Sequence, residues 1–147
     1  MMLRVGLLLD DGDRRILREA GLTPTQYNLL RFLDDAPSAD GGVSIIRLSE
    51  RLLCTRGNVT RLVRRLSAAG IVRTRPDPHD RRVVKVDLTA KGARRLALAR
   101  KLHLGANHER FADLPGRDLE HLRELVDTLI DVLDKHLAQS PRGRSAH

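Results

Sequence analysis

Residues 45–89 read IIRLSERLLCTRGNVTRLVRRLSAAGIVRTRPDPHDRRVVKVDLT, and the order of patterns in this stretch decides the fold. Two short helical patterns joined by a tight turn come first, and two β-branched runs around a Pro- and Asp-containing loop follow. The second helix is predicted over about residues 55–69. Val59, Leu62, Val63 and Leu66 recur at i, i+3, i+4 and i+7, a buried stripe, whereas Gly57, Thr60, Arg61, Arg64 and Arg65 fall on or near the opposite side. One face is core and the other is cationic. Thr55 is placed to cap the first turn, where free N–H groups and the positive end of the helix dipole suit a phosphate. An interior glycine costs a helix roughly 1 kcal/mol relative to alanine, and Gly57 would let a partner approach the backbone.

Ala69 and Gly70 form a natural helix stop. IVRTR, PDPHDRR and VVKVDLT then read as a β-hairpin whose tip and arms carry Arg73, Arg75, Arg81, Arg82 and Lys85. Asp80 lies among them, and it is expected to order a neighbouring arginine through a charge-assisted pair. Basic groups on a helix and an adjoining hairpin can enter a DNA groove and follow its backbone.

These residues carry a resemblance. The run NVTRLVRRLSAAGIVRTRPDPHDRR is similar to the recognition helix and wing of the MarR family of bacterial winged-helix transcription regulators. The family's wing pattern, Asp-x-Arg, three residues, then Val-x-Leu-Thr, is met by Asp80, Arg82, Val86, Leu88 and Thr89. GLTPTQYNLLRFL at 21–33 resembles that family's second helix and its entry. The resemblance covers about residues 21–137. It implies a mainly α, α+β winged-helix fold with N- and C-terminal dimerisation helices: 1–22 and 89–138 as the dimerisation region and 23–88 as the winged helix-turn-helix. The composition of 139–147 reads as a disordered tail.

The whole chain of 147 residues suits one compact domain, or one small domain with oligomerising extensions. A formal net charge of +8 points to an anionic partner, nucleic acid before anionic membrane. Of 27 basic residues, 23 are Arg and four are Lys, a bias that a GC-rich coding genome also produces. No run approaches the roughly 18 apolar residues of a membrane span, and MMLRVGLLLDDGD lacks the apolar core and cleavage site of a signal peptide. A cytoplasmic protein with no membrane partner is expected. One cysteine excludes an internal disulfide framework and a Cys-rich zinc site.

Near the start, the acidic run at 10–13 interrupts a helical pattern, so a short or broken first helix is expected. Thr23, Pro24 and Gln26 form a capping box for the next helix, which buries Leu29, Leu30 and Leu33 and ends near Pro37. SADGG is read as a surface turn before a short strand at Val43 and Ser44. The helix at 45–53 has Ile46, Leu48, Leu52 and Leu53 as candidate core. Relatives usually carry glycine where this chain has Leu53, so the turn must close on a residue less suited to left-handed angles. Thr89 can cap a long helix, and a further helix follows at about 117–138. In that last helix Leu119, Leu122, Val126, Leu129 and Leu133 repeat with 3-4 spacing beside Leu125 and Val132, a coiled-coil-like stripe suited to a dimer interface.

A two-fold dimer with paired recognition helices reads half-sites roughly 34–36 Å apart in a pseudo-palindrome of double-stranded DNA. By the resemblance, Thr55, Arg56, Asn58, Thr60 and Arg61 lie where the family's helix enters the major groove. Arg61 suits guanine and Asn58 suits adenine. Arg64 and Arg65 are assigned to phosphates, and Arg75, Arg81 and Arg82 to the wing's contacts. The implied function is a repressor released by a small-molecule effector. With one Tyr, two Phe and no Trp a strongly aromatic pocket cannot be built; Tyr27 and Phe111 are candidate pocket residues, though each reads first as core.

Other readings stay open. Cys54 invites a thiol switch, though at the turn it reads first as a small apolar packing residue. Six histidines raise a metal-sensing reading, but His103 and His108 point from different helical faces and His121 with Glu124 lacks a third ligand; no metal or cofactor is assigned. No nucleophile elbow, phosphate-binding loop or paired carboxylates support an enzyme. A non-specific architectural DNA-binding protein would explain the charge but not the ordered helix, turn, helix and wing.

Overall fold

The computed structural model describes residues 2–36 and 42–139. Its elements run α1 (Met2–Glu19), α2 (Pro24–Asp34), β1 (Val43–Ser44), α3 (Ile45–Arg51), α4 (Arg56–Ala68), β2 (Val72–Pro76), β3 (Val84–Leu88), α5 (Ala90–Arg110) and α6 (Gly116–Gln139). They divide into two compact units, Met1–Ala106 and Asn107–His147. The expected SADGG turn lies, apart from Gly42, outside the described residues. Gln139 closes α6, and the rest of the expected tail also lies outside them.

The first helix corrects the sequence expectation, because α1 is an unbroken helix of 18 residues. The acidic run is neutralised one turn later: Asp10 pairs with Arg14 at 2.7 Å and Asp11 with Arg15 at 2.8 Å, both at i,i+4. Such pairs each stabilise a helix by a few tenths of a kcal/mol, about 0.2–0.5. Asp13 faces His103 Nε2 of α5 at 3.4 Å.

Three helices end in the same way. The N–H of the residue after the cap bonds back three residues and the next N–H bonds back five: Gly21 to Arg18 and Leu22 to Leu17; Gly70 to Ser67 and Ile71 to Leu66; Leu53 to Glu50 and Cys54 to Ser49. This Schellman arrangement needs a left-handed residue at the turn. Gly21 and Gly70 supply it at φ +66° and +68°, and Leu53 supplies it at φ +52°. Leucine therefore takes a glycine's place between the two helices of the helix-turn-helix.

Helix starts follow the sequence chemistry. Thr23 Oγ1 accepts from Gln26 N while Gln26 Oε1 accepts from Thr23 N, the expected capping box. Ser44 Oγ accepts from Arg47 N, Thr55 Oγ1 from Asn58 N, and Thr89 Oγ1 from Gly92 N. α2 stops at Asp34 with Asp35 as its C-cap.

The antiparallel sheet has the order β1-β3-β2, with Val43 opposite Val86 and a β2–β3 register running from Val72↔Leu88 to Pro76↔Val84. One core collects Leu17 and Ala20 of α1, Leu29 and Leu30 of α2, Leu48 of α3, Val59, Val63 and Leu66 of α4, Val72 and Val86 of the sheet, and Leu96 and Ala99 of α5. Packing thus joins α1 and most of α5 to the winged helix-turn-helix, where the sequence reading had grouped 1–22 and 89–138 apart from 23–88. Arg100 of α5 reinforces this by reaching Asp34 at 2.6 Å and Asp35 at 3.4 Å. Two expected core residues are not core: Ile46 is 41% exposed and Leu53 is 75% exposed. The other two, Leu48 and the half-buried Leu52, do pack into the core.

In the second unit, α6 exposes Leu122, Leu125, Val126, Leu129, Ile130, Val132, Leu133 and Leu137. Leu119 is half-buried.

Candidate nucleic-acid interface

α4 is held from behind and open in front. Val59, Val63 and Leu66 are buried at 3% exposure or less, so burial of about 1.5–3 kcal/mol per aliphatic side chain fixes the helix's rotation. Thr55, Arg56, Gly57, Asn58, Thr60, Arg61, Arg64 and Arg65 are consequently exposed. A side chain at Gly57 would meet open space, so no packing contact requires the glycine.

The outward groups are partly organised among themselves. Arg61 Nη2 donates to Asn58 Oδ1 at 2.6 Å, and Thr60 Oγ1 donates to Arg56 O at 2.8 Å. The two side chains best suited to base edges are therefore coupled before any partner arrives. The helix stands as a ridge between two grooves. One, of about 350 Å³, is lined by Thr23, Thr25, Cys54, Asn58, Arg61 and Arg65 among others; the second, of about 300 Å³, separates α4 from the hairpin and is lined by Ile45, Thr60, Arg64, Thr74 and Val84.

The hairpin's outer face follows from strand alternation. Val72, Thr74, Val86 and Leu88 turn one way, and Arg73, Arg75, Lys85 and Asp87 share the other, with Arg73 opposite Asp87 and Arg75 opposite Lys85. Asp87 Oδ2 lies 3.0 Å from Arg75 Nε and 3.6 Å from Arg73 Nε. At the tip, Asp77 Oδ1 accepts from the backbone N–H groups of His79 and Asp80, and Asp77 Oδ2 meets Lys85 Nζ at 3.3 Å. The backbone hydrogen bonds from His79 and Asp80, with Lys85 adding to them, hold the Asp77 carboxyl below its ordinary value.

Asp80 acts differently from the sequence expectation. Its Oδ1 accepts the backbone N–H of Arg82 at 3.0 Å and its carbonyl accepts from Val83 N, closing a turn instead of pairing with a guanidinium. In the hairpin the carboxylates that meet cations are Asp77, read in the sequence only as turn chemistry, and Asp87, passed over there. The i, i+2 alternation of Arg73 and Arg75 against Lys85 and Asp87 was the signal available for Asp87. Arg81 and Arg82 make no side-chain hydrogen bond or ion pair among the described residues.

The remaining candidates fall elsewhere. Cys54 is half-buried and its thiol donates to Leu52 O at 3.3 Å. Tyr27 is buried in the first unit, its ring 5.3 Å from that of His103 and under the Arg31 guanidinium at 5.8 Å. Phe111 belongs to the second unit, in the turn after α5. His121 lies 3.8 Å from Glu124, and among the described residues no three His, Cys, Asp or Glu side chains converge as a metal site would require. No helix among the described residues is long and apolar enough to cross a membrane.

With this geometry in view, the chain is similar to known regulators. A family model described as the MarR family matches residues 20–83. The transcriptional regulator HosA of Escherichia coli O111:H- is 30% identical over 110 residues, 75% of this chain and 78% of that protein. The transcriptional activatory protein BadR of Rhodopseudomonas palustris is 28% identical over 133 residues, 90% of this chain and 75% of its own. Among solved structures, the transcriptional repressor CouR bound to a 23-mer DNA duplex superposes with a TM-score of 0.78 at 28% identity, over 88% of this chain and 89% of that one.

Proposed function

The chain belongs to the MarR family of winged-helix transcription regulators, and from that premise we propose that it acts as a homodimer that represses transcription from a pseudo-palindromic operator and is released by a small-molecule signal. That it is a DNA-binding transcription regulator and not an enzyme follows from the family; the dimer, the operator symmetry, the sign of control and the release are the reading offered here. The observation that carries it is the contrast between α4 and α6. One presents an uninterrupted row of polar and cationic groups with its apolar side sealed, and the other leaves eight large apolar side chains exposed in a single chain.

Leu119, Leu122, Val126, Leu129 and Leu133 supply a stripe that a second copy would cover, at a gain of about 25 cal/mol per Å² of apolar surface removed from water. Pairing two chains places two α4 ridges on one duplex, which converts weak half-site contacts into one bivalent event. In this reading Arg61 and Asn58 meet base edges, Thr55, Arg56 and Thr60 approach the groove, Arg64 and Arg65 meet phosphates, and Arg81 or Arg82 of the wing meets the minor groove or its flanks. Relatives carry both signs of control by name; repression is favoured here because a repressor, CouR, is among the DNA-bound matches and a further relative, IacR, is named a repressor.

A footprint on the DNA flanking the protein's own gene tests the proposal, together with a promoter fusion. A discrete protected palindrome and a rise in reporter on deletion of the gene are expected. Uniform coating of any duplex would favour the architectural reading, and a fall in reporter would make the protein an activator.

A further inference from the structure

Asp87 is an odd residue to find on a surface directed at DNA, since a carboxylate there repels phosphates. It is also unusually well housed. Its side chain is 16% exposed, and it is pressed against Gly42, where an added Cβ would come within 2.5 Å of Asp87 Oδ1 and 2.8 Å of Val86 O. Gly42 adopts φ +97° at this contact. The end of β1 is thus shaped around the carboxylate, and a side chain at 42 would displace it.

The cations facing Asp87 are distinguishable. Lys85 is engaged by Asp77. Arg73 is 68% exposed and its Nε lies at 3.6 Å, beyond good hydrogen-bond length. Arg75 is 43% exposed and its Nε donates to Asp87 Oδ2 at 3.0 Å, while its two terminal nitrogens make no hydrogen bond among the described residues. An arginine gripped through Nε keeps both Nη groups for a second acceptor. Because a free arginine gives up about 2 kcal/mol of rotamer entropy when it is ordered, ordering it beforehand favours docking.

We infer that Asp87 is a positioning residue: seated against Gly42, its carboxylate holds Arg75 through Nε, so that the guanidinium's free edge meets a backbone phosphate flanking the wing. The inference rests on the DNA-binding reading and adds to it a carboxylate that strengthens binding to a polyanion.

The sign of the effect makes the test decisive. Binding of a footprinted duplex is measured by fluorescence anisotropy across a salt series for the wild type, Asp87→Asn, Arg75→Ala, Arg75→Lys and the double variant Arg75→Ala/Asp87→Asn. Asp87→Asn removes a negative charge, yet is expected to weaken binding about fivefold through the lost ordering of Arg75. The double variant should bind no more weakly than Arg75→Ala alone. Arg75→Lys retains the charge without the fork and should lose as much as Asp87→Asn, which keeps the test open if Asp87→Asn folds poorly. Tighter or unchanged binding by Asp87→Asn, multiplying losses in the double variant, or wild-type binding by Arg75→Lys would each overturn the inference while leaving the regulator reading intact. A wild-type protein that protects no duplex would instead overturn that reading, and this inference with it.

Discussion

Leu53 combines a left-handed backbone with a side chain mostly in water. For a residue other than glycine the left-handed region costs roughly 1–2 kcal/mol, and an exposed leucine recovers little of this by packing. Leu53→Gly removes the strain but gives the unfolded chain more freedom, a penalty of about 0.5–1 kcal/mol. The net expectation is a more stable protein, with Tm raised by about 2 °C; a lowered Tm in thermal unfolding would show that the leucine packs usefully. Asp77 sets a second residue-scale expectation. Its folded-state pKa is depressed by backbone N–H donors and Lys85, so its contribution to stability is complete above its unfolded-state pKa and is lost as pH falls through the folded one. Asp77→Ala should therefore lower Tm near neutrality, and the difference from wild type should close as pH is taken down through the acidic range. A difference that is constant with pH would mean that the loss comes from the turn's shape alone.

At the scale of elements, α4 has two edges that should behave differently. Arg61 is coupled to Asn58 and stands over one groove, whereas Arg64 lines the groove beside the hairpin. Arg61→Ala is expected to weaken binding of a specific duplex far more than of a scrambled one, by about 1–3 kcal/mol. Arg64→Ala should weaken both and reduce the salt slope by about 1. Equal losses on both duplexes for Arg61→Ala in a salt titration would remove it from base recognition. Because Arg61 and Asn58 touch, Asn58→Ala combined with Arg61→Ala should cost less than the two losses added. The sheet carries a different lesson at this scale. Its cations are not equivalent, since the stem arginines are engaged by Asp87 and the tip arginines are not, a distinction that composition could never convey.

For the whole molecule, the exposed stripe of α6 ties assembly to affinity. Replacing Leu129 with Glu places a charge in the middle of the apolar row, and a dimer built on it should fall to a single chain in light scattering. Operator affinity should drop by at least tenfold as bivalency is lost, with the fold of the first unit retained by circular dichroism. A variant that stays dimeric would move the interface away from α6.

Much of this protein was legible before any coordinates. The capping threonines Thr23, Thr55 and Thr89, the glycine stops and the apolar stripe of α4 each depend on neighbours within about four residues, which is the range over which a helix repeats itself. Those signals placed the winged helix-turn-helix and its outward basic face, whereas the left-handed turn at Leu53 was implied only by the resemblance, through the glycine that relatives carry there. The errors lie where a side chain's partner is set by something other than that local pattern. The acidic run at 10–13 is the exception: Arg14 and Arg15 lie one turn on at i,i+4, within local range, and only the contact of Asp13 with His103 of α5 is set by tertiary packing. Ile46 read as core until the packing of Leu48 fixed the rotation of α3. Asp80 read as the arginine's partner because it is adjacent in sequence. Tertiary structure gave that place to Asp87, because the β2–β3 register sets Arg73 opposite it and Arg75 one residue pair further along the same face, and because a glycine at the end of β1 leaves room for the carboxylate.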